Sequence, residues 1–178
     1  MKCCSLTIMG GMTQSAFPEG NIASDPEAAK IVFQSGIPIS MLELDVTLKC
    51  SLSFDGVAKI RDRGLMETDL LYKLIHIWKK ETLTPIYKAW GSPPPVDGEY
   101  TTGMHDPMTV AFAASPFLFK TKSTLIAVET AGEYTRGVTV ERINVFNEQS
   151  LGFNTNLVVD VQREKFMELF LNRILEKG

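Results

Sequence analysis

Apolar residues along this chain recur in two rhythms, and each rhythm predicts a kind of element. Short runs that are apolar throughout or alternate with polar residues read as strands at Cys3 to Met9, Ile39 to Leu44, Leu125 to Thr130, Gly137 to Arg142 and Thr155 to Val161. Spacings of three and four residues read as helices. Leu70, Leu71, Leu74, Ile75 and Trp78 form such a stripe within Glu67 to Lys80, and Phe54 to Arg61, Met108 to Ala114 and Glu164 to Leu175 follow the same pattern. The punctuation between elements agrees. Gly10-Gly11 closes the first strand, Asp25 and Pro26 open a helix through Phe33, and Gly36 stands just past its end.

Strand, helix and strand in that order predict a crossover unit of the doubly wound α/β type. The expected fold is therefore an open, mostly parallel sheet with helices on its faces. In such sheets ligands sit beyond the carboxyl ends of the strands. That rule puts the stretch from Met9 to Asn21 on the same rim as Asp45 to Thr47. Gly91 to Gly98, with three consecutive prolines, predicts an irregular loop, read equally well as a rim lid or as a plain surface connection. No internal repeat is present.

With 178 residues the chain can bury one sizeable core, and a single domain over residues 1–178 is expected. Composition excludes several classes of function. Eighteen basic residues against 21 acidic ones, with no basic stripe, argue against nucleic-acid binding. No apolar run approaches the ~20 residues of a membrane span, and the N-terminus lacks the h-region of a signal peptide, so a cytoplasmic protein with no membrane partner is expected. Three cysteines, two of them adjacent at Cys3 and Cys4, form neither a disulfide framework nor zinc-ligand spacing and read as buried thiols.

Candidate chemistry gathers in a few ordered segments. Met9-Gly10-Gly11 is followed by Glu19-Gly20-Asn21-Ile22-Ala23-Ser24-Asp25-Pro26-Glu27-Ala28-Ala29, then by Ser35-Gly36-Ile37-Pro38 leading to Leu44-Asp45-Val46-Thr47. His105-Asp106-Pro107 and Val128-Glu129-Thr130 with Thr135-Arg136-Gly137 complete the series. In order and approximate spacing these segments resemble the inosine/uridine-preferring nucleoside hydrolases. The similarity runs through essentially the whole chain and corresponds to the C-terminal portion of the family domain.

The resemblance implies hydrolysis of the N-glycosidic bond of purine and pyrimidine ribonucleosides, with a small-molecule nucleoside as partner and a calcium ion as cofactor. Such a reaction needs stabilisation of an oxocarbenium-like ribose, an activated water and a proton for the departing base. By resemblance, Met9, Glu19 and Asn21 line the ribose, Asp106 ligates calcium, and His105 carries the proton. An imidazole titrating near ~6.5 suits that last task. Read without the resemblance, Glu19 and Asn21 are ordinary turn residues, Asp106 is an N-cap, and Asp45 is a strand-end hydrogen-bonding aspartate. His76, inside the helical stripe, reads as structural or solvated.

The chain departs from the family pattern in ways that bear on activity. The aspartate cluster Asp-x-Asp-x-x-x-Asp-Asp, which holds calcium and supplies the general base, is absent. Thr13 stands where an asparagine grips ribose, and Gly20 replaces an aromatic residue between the acid and the amide. Calcium takes about six to eight oxygen ligands, which Asp106 does not provide by itself. Activity from this chain alone is therefore expected to be weak or absent. A hydrolase completed by a second copy or by a complementing N-terminal half, a catalytically silent nucleoside- or ribose-binding or regulatory protein, and a non-functional fragment all remain open. The first strand is expected to leave an edge available for pairing.

Overall fold

The computed structural model describes residues 5–83, 102–142 and 154–176. They form two compact units, the first built from the segments up to Thr47 and from His105 to Gln162, the second from Leu48 to Met104 and from Arg163 onward. Cys3, Cys4, the proline-rich loop and the Tyr87 to Tyr100 region lie outside the described residues.

In the first unit, chain order runs β1 (Leu6–Met9), α1 (Gly20–Ser24), α2 (Pro26–Gln34), β2 (Ile39–Leu42) and α3 (Leu44–Thr47). In the second lie β3 (Ser51–Leu52), α4 (Phe54–Asp62), α5 (Met66–Trp78), a π-turn at Lys79–Leu83 and β4 (Thr102–Gly103). The first unit resumes with α6 (His105–Ala114), a 3-10 turn at Pro116–Leu118, then β5 (Phe119–Val128), β6 (Thr139–Arg142) and β7 (Thr155–Val161), and α7 (Arg163–Leu175) returns to the second.

The sheet of the first unit has five strands in the order β1-β2-β7-β5-β6. β1, β2 and β7 are parallel, with Leu6 opposite Ile39 and Ile39 opposite Thr155, while β5 and β6 join antiparallel. The expected α/β sheet with flanking helices is what forms, mixed in direction rather than mostly parallel. The core on one face joins Ile22 and Phe33 from the helices with Ile39, Met41, Ile126, Val128 and Leu157 from the strands, and Leu6, Ile8 and Ala29 pack against it. These residues alternate along their strands, so one face of each strand enters the core. Local signals delimit α2 as expected. Asp25 caps it by accepting from the Ala28 amide at 3.0 Å, Pro26 occupies its first turn, and Gly36 beyond it takes φ +78°.

One element boundary is corrected. β2 ends at Leu42, and Leu44 opens a short helix instead of extending the strand. In α5, only Ile75 of the anticipated stripe is buried, together with Thr68; Leu70, Leu74 and Trp78 are 57%, 52% and 43% exposed. α5 has apolar residues around much of its circumference, so spacing alone does not select the face that packs. His76 sits near the end of α5 with its ring edge-on to Tyr72, centroids 4.5 Å apart.

In the second unit, β3 and β4 form a two-stranded ribbon, and α4 packs against α5 and α7. Val57, Ile60, Ile75 and Phe166 are its buried apolar side chains on these helices.

Candidate functional site

The parallel strands β1 and β2 end at Met9 and Leu42, and the chain beyond each is held by a lattice of hydrogen bonds. Consecutive amides after β1 go to side chains from separate elements. Gly11 N–H donates to Glu19 Oε2 at 2.9 Å, Met12 N–H to Thr139 Oγ1 at 2.9 Å, and Thr13 N–H to Glu43 Oε1 at 2.6 Å. Backbone bonds reinforce the turn, from Gly10 N–H to the Leu42 carbonyl at 3.1 Å and from Leu44 N–H to the Gly11 carbonyl at 3.0 Å. Gly11 has φ +81°, and a Cβ there would collide with the Met41 side chain and with Thr139. Glycine at this position is a steric requirement.

Glu19 is buried and caps α1. Its Oε1 accepts from Asn21 N–H at 2.9 Å and its Oε2 from Ile22 N–H at 3.2 Å, besides the bond from Gly11. A carboxylate offers about four lone-pair directions, so backbone amides take most of Glu19 and leave little for a sugar hydroxyl. Asn21 is exposed, and its Nδ2 lies 3.2 Å from Met9 Sδ and 3.4 Å from the Met9 carbonyl. Met9 and Asn21 thus stand together on the rim. Gly20 faces open space, with nothing within 4 Å of a Cβ built there.

α6 packs against β1 and begins at His105. The half-buried His105 ring places Nδ1 2.8 Å from Thr47 Oγ1, and Thr47, at the end of α3, is fully buried. Burial lowers the His105 pKa below the ordinary imidazole value, while the negative charges of Asp106 and Glu19 oppose that shift. α6 packs against β1, the strand that ends at Met9. Asp106 lies inside the first turn of α6 with its residue exposed, so it is not the N-cap. Asp45 accepts from Val46 N–H at 2.9 Å, the local structural role expected of it.

Glu43 and Thr47 are the residues the sequence reading left unassigned. Glu43 is 2% exposed, and burial raises its pKa above the ordinary carboxylate value, with the Thr13 bonds opposing and the charges of Asp45 and Glu141 adding to the rise. Glu43 belongs to no recognisable spacing, whereas Thr47 closes the Leu44-Asp45-Val46-Thr47 segment without a role assigned to it. For both, position is a signal as well, since each follows the end of a strand on the ligand side of the sheet.

A calcium ion does not fit the donors the described residues assemble. No group of three or more His, Cys, Asp or Glu side chains that could hold a metal occurs among them, and Asp106 stands as one exposed carboxylate. A cavity of about 780 Å3 lies elsewhere, toward the starts of β2 and β7, bordered by Phe33, Pro38, Ser123, Leu125, Arg142 and Asn156. It includes none of the candidate residues.

Polar side chains gather beyond the ends of β1 and β2 in a mixed α/β sheet, the place where open sheets of this kind bind their ligands. Its family is given by comparison: residues 1–168 match the inosine-uridine preferring nucleoside hydrolase family, and the chain belongs to it. The pyrimidine-specific ribonucleoside hydrolase RihA of Enterobacter sp. (strain 638) is 33% identical over 179 residues, an alignment covering 98% of this chain and 53% of that protein. Among solved structures, the purine-preferring ribonucleoside hydrolase from Gardnerella vaginalis superposes with a TM-score of 0.78 at 30% identity, covering 95% of this chain and 51% of that one. A plant nucleoside hydrolase shares the fold with a TM-score of 0.75 at 24% identity, over 94% of this chain and 52% of its own. The chain thus spans about half the length of the relatives it matches.

Proposed function

We propose that this chain provides the ribose-contacting and base-protonating side of a ribonucleoside N-glycosidase site, and that by itself it binds nucleosides while turning them over weakly or not at all. The family reaction is hydrolysis of the bond between ribose and base. Here Met9 and Asn21 offer a thioether and an amide to the sugar, Glu19 fixes the turn that presents them, and His105 holds the proton for the base. The observation that supports this most directly is the contact of Asn21 Nδ2 with Met9 Sδ at 3.2 Å at the end of β1, the strand against which α6 with His105 packs.

Weak turnover follows from the donors. Activating water and stabilising the ribosyl cation call for converging carboxylates, and among the described residues Asp106 is exposed while Glu19 is already engaged by amides. The same scarcity favours a second reading, a catalytically silent nucleoside- or ribose-binding protein. A second copy of this chain or a separate polypeptide bearing an Asp-rich segment would complete the site under the first reading.

Calorimetric titration with inosine, uridine and free ribose tests the binding claim, and release of free base with calcium and then with a chelator tests turnover. Saturable binding of the nucleosides, weakened by Asn21→Ala, is the expected result. A folded sample that binds none of them would sink the proposal. Chelator-sensitive base release by the chain alone would overturn the statement about turnover.

A further inference from the structure

Thr47 has one hydroxyl proton and two close neighbours. Its Oγ1 lies 3.1 Å from the Leu44 carbonyl oxygen and 2.8 Å from His105 Nδ1. A carbonyl oxygen can only accept. If the hydroxyl gave its proton to Nδ1, two oxygen lone pairs would face each other at 3.1 Å inside a fully buried residue. If it donates to Leu44, its own lone pair receives Nδ1–H and both contacts become hydrogen bonds. The second arrangement leaves nothing unmatched.

We infer that Thr47 is the positioning residue for His105: it accepts Nδ1–H, fixes the imidazole plane, and leaves Nε2 as the nitrogen that exchanges a proton with a bound nucleoside. The inference rests on the reading of His105 as proton carrier. When the glycosidic bond breaks, its electron pair leaves with the base, which takes the proton from Nε2. Water adds to the ribose carbon and releases its own proton to solvent. Nδ1–H stays on Thr47 throughout, so the ring need not turn between the charged and neutral forms. Thr47 is a good anchor because α3 and its back-bond to Leu44 hold the hydroxyl in place.

The tautomer is measurable without turnover, which separates this inference from the hydrolase reading. The chain has two histidines, so His76→Gln leaves His105 as the sole imidazole signal. Two-bond proton–nitrogen correlation spectra of that protein, at a pH where the ring is neutral, should show Nδ1 protonated, the reverse of the form free histidine prefers in water. Thr47→Ser should preserve this pattern, and Thr47→Val should shift it toward Nε2–H. A His105 protonated at Nε2 in the otherwise native chain would overturn the inference whatever the variants do. So would a Thr47→Val protein that folds and keeps the native tautomer.

Discussion

Glu43 grips Thr13 twice, accepting from the amide at 2.6 Å and from the hydroxyl at 3.0 Å. The pair ties the end of β2 to the turn after β1. Burial raises the folded-state pKa of Glu43, so the folded protein binds a proton more readily than the unfolded chain does, whose glutamates titrate near ~4.3. Stability from this group is present on the acid side and falls as pH rises from the unfolded value through the folded one. Wild type minus Glu43→Gln, compared in urea melts at several pH values, should therefore decline across that window. A difference that grows with pH would refute the assignment. Glu43→Ala, which orphans the Thr13 amide, should cost about 1–3 kcal/mol at neutral pH.

Gly11→Ala tests the turn from the steric side. With φ +81° and the Met41 side chain and Thr139 against any Cβ, the substitution must strain the backbone or push the neighbours away. A loss of about 1–3 kcal/mol is expected in the same melts. A neutral result would mean that the turn relaxes freely, and Glu19 and Thr139 would then not be holding it.

Asn21 is exposed, and its side-chain amide meets Met9 at 3.2 and 3.4 Å. Asn21→Ala should change folding stability by less than about 1 kcal/mol. Nucleoside affinity should fall roughly tenfold, the equivalent of about 1.4 kcal/mol. Equal affinity in the two proteins would remove Asn21 from the sugar site.

Asn154 joins the end of α2 to β5. Its amide donates to the carbonyls of Phe33 and Ile126, both at 3.0 Å, and its oxygen accepts from Ile126 N–H and Thr155 Oγ1, both at 2.9 Å. Asn154→Asp keeps the acceptor and turns the donor side into a second acceptor facing two carbonyls. It should destabilise the fold by about 2–4 kcal/mol in denaturant melts, and a loss below about 0.5 kcal/mol would contradict this geometry.

Cys50 is fully buried, and burial pushes its thiol pKa up to about 11, with smaller effects from Arg163, Glu164 and Lys49. The thiolate is the reactive form. Peptide mapping after iodoacetamide treatment should find Cys50 unmodified in the native protein and modified in denaturant. Rapid native labelling would place it nearer the surface.

Local signals made much of the fold legible. Asp25, Pro26 and Gly36 delimit α2 within a residue or two because capping and backbone strain act over a few bonds. The motifs likewise located Met9, Asn21 and His105 at strand and helix ends. Packing added what spacing could not show. Glu19, expected to line the ribose, also accepts from the Gly11, Asn21 and Ile22 amides, contacts that exist only after the turn has closed. The spacing in α5 identified the helix but not its packed face, because burial depends on which neighbours arrive at that helix.

Chemistry that joins distant segments was decided by tertiary structure alone. His105 and Thr47 are 58 positions apart, and Met12 and Thr139 are 127 apart. No periodicity connects such pairs, because their meeting depends on sheet order and on how α6 packs against β1. The sequence by itself determined the element types, the turn glycine and the family, since each is encoded in neighbouring residues or ordered motifs. Which carboxylates hold the backbone, and which imidazole nitrogen faces a hydroxyl, were settled only when those segments came within hydrogen-bonding distance, a range of about 3 Å that sequence separation does not measure.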